Sequence, residues 1–224
     1  MTGRTKLVIF DCDGTLVDSQ HMICTAMAQA YQAHGLPVPA RETMLSIVGL
    51  SLVEAFTALG KGADGFPAAS LAEQYRRAFH ALRDAGEHIE PLYPGAAEAV
   101  TALARREDVV LGIATGKSQR GVRLVLGHHG LLDHFITIKT ADDAPSKPDP
   151  GMVLHAMREA GATPENTVVV GDTVYDIAMA RAAGATPIGV AWGYHTREAL
   201  ERAGAPVIEA FATLEPTLDR MWTL

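Results

Sequence analysis

The chain has 224 residues, 48% hydrophobic and 20% charged, which suffices for a buried core and excludes a disordered or fibrous protein. Its 26 acidic residues against 19 basic ones give a net charge of −7 with no basic stripe, which argues against a nucleic-acid partner. No apolar run approaches the ~20 residues of a membrane span, the segment behind Arg4 and Lys6 is too short for a signal peptide, and Cys12 and Cys24 give neither a disulfide framework nor zinc spacing, so a cytoplasmic protein with no membrane partner is expected.

In chain order, the first element is "KLVIF" (6–10), whose apolar run ends directly before Asp11 and Asp13. Continuous apolar character over so short a stretch predicts a strand buried on both faces. From about Leu16 to about Tyr93 the pattern becomes helical. Met22, Ile23, Met27 and Tyr31 form one apolar stripe, and Leu71, Tyr75, Phe79 and Leu82 form another at i, i+4, i+8 and i+11. Both stripes are expected to face a core. Breaks are expected near Gly60–Pro67 and Gly86–Pro94. Strands follow at "VVLGIAT" (109–115), "FITIK" (135–139), "TVVVG" (167–171) and "TPIGVA" (186–191), with helical stretches between them. This alternation predicts an α/β fold, a doubly wound parallel sheet with a Rossmann-like core of residues 1–16 and 91–224 and a helical insertion of residues 17–90.

The polar residues gather where such a sheet binds ligands, at strand ends. Asp172 follows "TVVVG", and Asp176 lies four residues on at the start of a helix. If the two strands are neighbours, four carboxylates converge, each pair at 4 Å repelling by about 4 kcal/mol at an effective dielectric near 20. A hard divalent cation answers this, and Mg²⁺, which keeps several waters, suits one or two direct carboxylates better than Ca²⁺. A calcium-binding EF-hand loop fails, because the glycine of "DCDG" falls at position 4 instead of 6 and position 12 is Met22. By itself "DCDG" also suits a plain strand-to-turn transition. Cys12 has no His or basic group beside it and is read as a small buried side chain on the face opposite the carboxylates.

In "GIATGKS", Thr115 and Gly116 end a strand and Lys117 and Ser118 open a helix. A hydroxyl and backbone N–H groups there suit an anionic oxygen, with ordinary helix capping by Thr115 as the alternative. The glycine spacing of a Walker A loop is missing. In "APSKPDP", Pro148 biases Lys147 towards an extended backbone, and Asp149 and Pro150 suit the N-cap and first position of a helix. Lys147 is then either a solvated surface lysine or the partner of the acidic cluster.

The stretches "DCDGT", "ATG", "SKPDP" and "GDTVYD", in that order and each at a strand end, resemble the haloacid dehalogenase superfamily of phosphohydrolases. The helical stretch is similar to that family's first-position cap domain. The resemblance implies that Asp11 attacks a phosphoryl group and becomes an aspartyl-phosphate, and that Asp13 protonates the leaving alcohol and then activates water. It implies that Thr115 and Lys147, with Gly116 beside them, hold the phosphoryl oxygens. Mg²⁺ would be held by Asp11, the backbone carbonyl of Asp13 and Asp172, with Asp176 acting through water or orienting its neighbours. Asp13 speaks against the dehalogenase and phosphonoacetaldehyde hydrolase branches, and Gly171, where mutases commonly carry an acid, speaks against the sugar-phosphate mutase branch. The expectation is Mg²⁺-dependent hydrolysis of a small phosphorylated metabolite, phosphoglycolate phosphatase-like. A mutase, an inorganic pyrophosphatase and a non-catalytic phosphate-binding module remain alternatives. "SIVGLSLVEAF" (46–56) is similar to the cap segment that approaches the site, with Gly49 allowing close approach or simply breaking a helix. His21 and Arg76 or Arg77 are candidate substrate contacts, and Leu16–Ser19 and Glu90–Pro94 are candidate hinges.

Overall fold

Leu7, Val8, Ile9 and Phe10 are all fully buried. A strand with no exposed face needs a neighbour on each edge and helices on both sides. The structure, a computed structural model, describes residues 5–85 and 90–223. Among these, six strands form one parallel sheet: β1 (Lys6–Phe10), β2 (Val109–Thr115), β3 (Phe135–Thr140), β4 (Thr167–Gly171), β5 (Thr186–Val190) and β6 (Val207–Ile208). Their order is β3-β2-β1-β4-β5-β6, so β1 sits between β2 and β4. Four helices precede β2 in the insertion, α1 (Gln20–Ala33), α2 (Arg41–Leu45), α3 (Leu52–Leu59) and α4 (Ala68–Asp84). The others are α5 (Ala96–Ala104), α6 (Gln119–His128), α7 (Gly151–Ala160), α8 (Val174–Ala182), α9 (Arg197–Arg202) and α10 (Leu214–Trp222).

Side-chain alternation along the strands assigns the two faces. Val8 and Phe10 join Leu111, Ile113, Val168 and Val170 against α5, α6 and α10, through residues such as Val100, Leu126 and Leu218. Leu7, Ile9 and Val169 face the other way, under Met152 and Val153 of α7 and Met179 of α8. Cys12 belongs to the first of these cores and is fully buried, on the side its neighbours' apolar packing dictates.

The insertion builds a separate core. The stripe of α1 (Met22, Ile23, Met27, Tyr31) meets Leu71, Tyr75 and Phe79 of α4, with Leu82 packed at its edge. Phe56 of α3 joins them, its ring 6.1 Å from those of both Tyr31 and Tyr75. The two connections to the sheet are stitched together: Asp18 N donates to Pro91 O at 2.8 Å and Tyr93 N to Leu16 O at 2.9 Å. The break expected at Gly60–Pro67 is a run of turns, whereas residues 86–89 of the Gly86–Pro94 break lie outside the described residues.

Some boundaries differ from the sequence expectation. At two residues β6 is too short to show a period-2 pattern, and it goes unnoticed in the sequence. Pro150 caps α7, which starts at Gly151, one residue later than expected, and Asp149 still accepts a bond from Gly151 N at 2.8 Å. Ser118 caps α6, so Lys117 precedes that helix instead of opening it. Among the described residues no helix is long and apolar enough to cross a membrane.

Phe10 lies edge-on to Phe135 with centroids 6.4 Å apart, at the centre of the first core. Phe10→Ala is therefore expected to cost about 3–5 kcal/mol in urea unfolding. A loss below about 1 kcal/mol would contradict this account of the core.

Candidate active site

Phe10 and Val170 are register partners on adjacent strands, so the residues just beyond the two strand ends emerge close together at the carboxyl edge of the sheet. Asp11 and Asp172 occupy that edge, and Asp11 N still bonds Val170 O at 2.9 Å. Asp176 joins them from the first turn of α8. Its carboxylate closes a capping box, with Oδ2 accepting from Thr173 N at 3.0 Å and Thr173 Oγ1 at 2.7 Å. The turn after Asp13 passes so near that a Cβ on Gly14, whose φ is +87°, would lie 2.3 Å from Asp172 Oδ2. Only glycine meets both demands there.

Asp11, Asp172 and Asp176 each present a carboxylate oxygen within 4.8 Å of the others, and all three are buried. Lys147 reaches in from the loop after β3, 2.9 Å from Asp11 Oδ2 and 2.6 Å from Asp176 Oδ1, with its side chain wholly buried. The surface-lysine alternative is thereby settled against. Burial pushes Asp11 up to about 6 despite the pull of Lys147, with Asp176 adding to the rise. Burial, reinforced by Asp176 and Asp11, raises Asp172 well above the carboxylate range. Burial opposes the charge on Lys147, yet Asp11 and Asp176 outweigh it and hold the ammonium above the ordinary lysine range.

One ammonium against three carboxylates leaves negative charge uncompensated, in a site whose clustered side-chain donors are all oxygens. A hard divalent cation fits that donor set. Asp172 is aimed from behind by Thr15 Oγ1 at 2.9 Å and Tyr194 N at 2.8 Å. Asp176 accepts from Lys147 through Oδ1 and from Thr173 through Oδ2, which ties the position of the Lys147 ammonium to the start of α8.

The Asp13 side chain stands apart from this cluster. Its Oδ1 accepts from Ser19 Oγ at 2.5 Å and from Lys117 Nζ at 2.8 Å. Lys117 also pairs with Glu90 at 2.7 Å, and Glu90 takes Arg83 of α4 at 2.6 Å and Ser19 Oγ at 3.0 Å. A buried chain of charges thus links the strand-end loop, both connecting segments and the insertion. The sequence reading places Lys117 beside the site without giving it a role, and misses Glu90 and Arg83. "ATGKS" advertises the first; no local pattern marks the others. Burial works against the charge of Glu90, but Lys117 and Arg83 prevail and lower it to about 2.

A cavity of about 200 Å³ opens between sheet and insertion. Asp11, Asp13, Thr115, Gly116 and Lys117 line one side; Gly49, Tyr75, Arg76 and Phe79 are among those on the other. A Cβ on Gly116 would sit 2.7 Å from the carbonyl oxygens of Gly49 and Leu50, so the 46–50 loop lies directly on the strand-end loop. Ser146 Oγ fastens the same segment by accepting from Ser51 N at 2.8 Å. His21 is exposed and lies outside the cavity lining, because α1 turns Ile23 and Met27 towards it instead. Arg77 is exposed and pairs with Glu73 at 3.1 Å.

With its pKa depressed in the fold, Glu90 contributes stability that is complete above about pH 4.5 and lost as pH falls towards 2. Glu90→Gln is expected to lower stability at pH 7 by on the order of 3 kcal/mol, the gap to the parent closing between pH 4.5 and 2. Urea unfolding across that range checks it; a gap independent of pH would contradict the charge network.

Comparison with known proteins gives the arrangement its relatives. The chain is 35% identical to "Probable phosphatase IndB" of Dickeya dadantii over 90% of this chain and 88% of that one. It is 32% identical to a phosphoglycolate phosphatase of Pseudomonas putida, covering 94% and 79% of the two chains. The tyrosine-protein kinase PtkA of Mycobacterium tuberculosis is 33% identical, with coverages of 94% and 70%. Among solved structures, a hydrolase from Pseudomonas syringae superposes with a TM-score of 0.83 at 30% identity, over 96% of this chain and 99% of that one. The family model for haloacid dehalogenase-like hydrolases matches residues 8–190, a span that begins in β1 and ends with β5. The chain belongs to the haloacid dehalogenase-like hydrolase family, with enzymes named as phosphatases among its relatives.

Proposed function

We propose that this chain, which has phosphoglycolate phosphatases among its relatives, hydrolyses a small phosphorylated metabolite in a Mg²⁺-dependent reaction through an aspartyl-phosphate on Asp11. One observation carries the reading: Asp11 is buried against Lys147, and a second carboxylate, Asp13, lines the same cavity. Held 2.9 Å from the Lys147 ammonium, the Asp11 carboxylate is paired with a cation that favours its ionised form, and as a carboxylate it needs no base to act as nucleophile.

In the first step an Asp11 oxygen forms a bond to phosphorus as the ester P–O bond breaks. Asp13 gives its proton to the departing alkoxide. In the second step Asp13 takes a proton from water, whose oxygen attacks phosphorus and releases Asp11 and inorganic phosphate. Lys147, the Thr115 hydroxyl and the Gly116 N–H hold the phosphoryl oxygens and offset their charge. Asp11, Asp172 and the backbone carbonyl of Asp13 would hold Mg²⁺, with Asp176 orienting Lys147 beside it. When bound, the ion supplies charge neutralisation for the carboxylates and the phosphoryl group. Residues 17–90 act as a cap over a core of residues 1–16 and 91–224, moving on the linkers at Leu16–Ser19 and Glu90–Pro94 to exclude water. The two buried free cysteines suit a reducing cytoplasm.

Asp11→Asn is expected to lower phosphate release by on the order of a thousandfold or more while leaving the circular dichroism spectrum intact. Chelator is expected to abolish release by the parent enzyme, and added Mg²⁺ to restore it. Turnover that survives Asp11→Asn would contradict the nucleophile, and turnover indifferent to chelator would contradict the ion.

A further inference from the structure

The insertion lines its side of the cavity mostly with apolar side chains, alongside Arg76, His80 and Arg83. Ile23 and Met27 come from α1, Ile47 and Val48 from the loop after α2, Leu52 and Ala55 from α3, and Tyr75 and Phe79 from α4. Ile23, Met27, Val48, Ala55, Tyr75 and Phe79 are buried. Two of the lining cations are already engaged: Lys117 with Asp13 and Glu90, and Arg83 with Glu90. The remaining basic lining residues, Arg76, His80 and Arg120, are exposed. With the phosphoryl group at Asp11, the rest of the substrate must lie along these aliphatic and aromatic side chains.

We infer that the preferred substrate is a phosphate monoester whose alcohol carries an apolar body about the size of one ring. The inference rests on the phosphatase reading and goes beyond it. An apolar cavity of about 150 Å³ accommodates benzene, so about 200 Å³ holds a phosphoryl group with one ring-sized substituent. A sugar phosphate would bring hydroxyls that lose water against Ile23, Met27, Ile47 and Val48 and find no partner there. Phosphoglycolate would bring a carboxylate, while Lys117 and Arg83 are already paired and Arg76, His80 and Arg120 are exposed to water. Discrimination comes from what the wall fails to offer polar groups as much as from its fit to an apolar one.

The test measures kcat/KM for benzyl phosphate, glycerol 3-phosphate, glucose 6-phosphate and phosphoglycolate, which are all alkyl esters, with acetyl phosphate as a small activated control. Benzyl phosphate is expected to exceed each of the other three esters by about tenfold or more. Equal or better turnover of phosphoglycolate or glucose 6-phosphate, with acetyl phosphate hydrolysed, overturns the substrate class and leaves the phosphatase reading standing. If acetyl phosphate and every ester are inert, the phosphatase reading fails and this inference fails with it. Val48→Thr keeps the shape of the wall and adds a hydroxyl. It is expected to lower the ratio of benzyl phosphate to glycerol 3-phosphate turnover, and a ratio unmoved in the folded variant overturns the proposal.

Discussion

Three carboxylates share a buried crevice with one lysine, and the rest of the molecule holds them there. At 4 Å each like-charged pair costs about 4 kcal/mol at an effective dielectric near 20, so free side chains would turn outwards to water. The fold denies them that escape. Asp11 follows a strand buried on both faces and is fastened by Cys12 N, 2.6 Å from Oδ1. Asp172 is gripped by Thr15 and Tyr194, and Asp176 by its own capping box. The carboxylates are positioned in advance, so a cation or the developing charge of a reaction meets oxygens that need no rearrangement. The large apolar sheet core provides the stability that such a site draws upon.

The second organising feature is the chain of charges from Asp13 through Lys117 and Glu90 to Arg83. Each member comes from a different part of the chain: the strand-end loop, the start of the segment before α6, the return connection and helix α4. The position of the insertion and the surroundings of Asp13 are thereby joined physically, since α4 cannot shift without breaking or carrying the Arg83–Glu90 pair. The ring of Phe79 lies under both cations, 5.2 Å from Lys117 Nζ and 5.1 Å from the Arg83 guanidinium carbon, so apolar wall and charge network share one residue.

Much of this was legible in the residues because strand ends announce themselves. An apolar run that stops at a carboxylate, as at Asp11 and Asp172, reports both the strand and the edge of the sheet. The helical stripes of α1 and α4 were equally plain, since burial of one face imposes its period on the sequence. Contacts between distant segments were not legible. Glu90 meets Lys117 across 27 residues and Arg83 from beyond a helix end, outside any periodic window. His21 and Ile23 look alike as neighbours of the site until the turn of α1 decides which faces the cavity. β6 was invisible for lack of length.

The central proposed step is transfer of the phosphoryl group to a carboxylate oxygen of Asp11. The most direct measurement is mass spectrometry of the peptide containing Asp11 after rapid acid quench of the enzyme with acetyl phosphate, in Mg²⁺ and in chelator. A phosphoryl adduct on Asp11 that forms only with Mg²⁺ is the expected result. Phosphate release without an adduct on Asp11, or with the adduct on another residue, would contradict it.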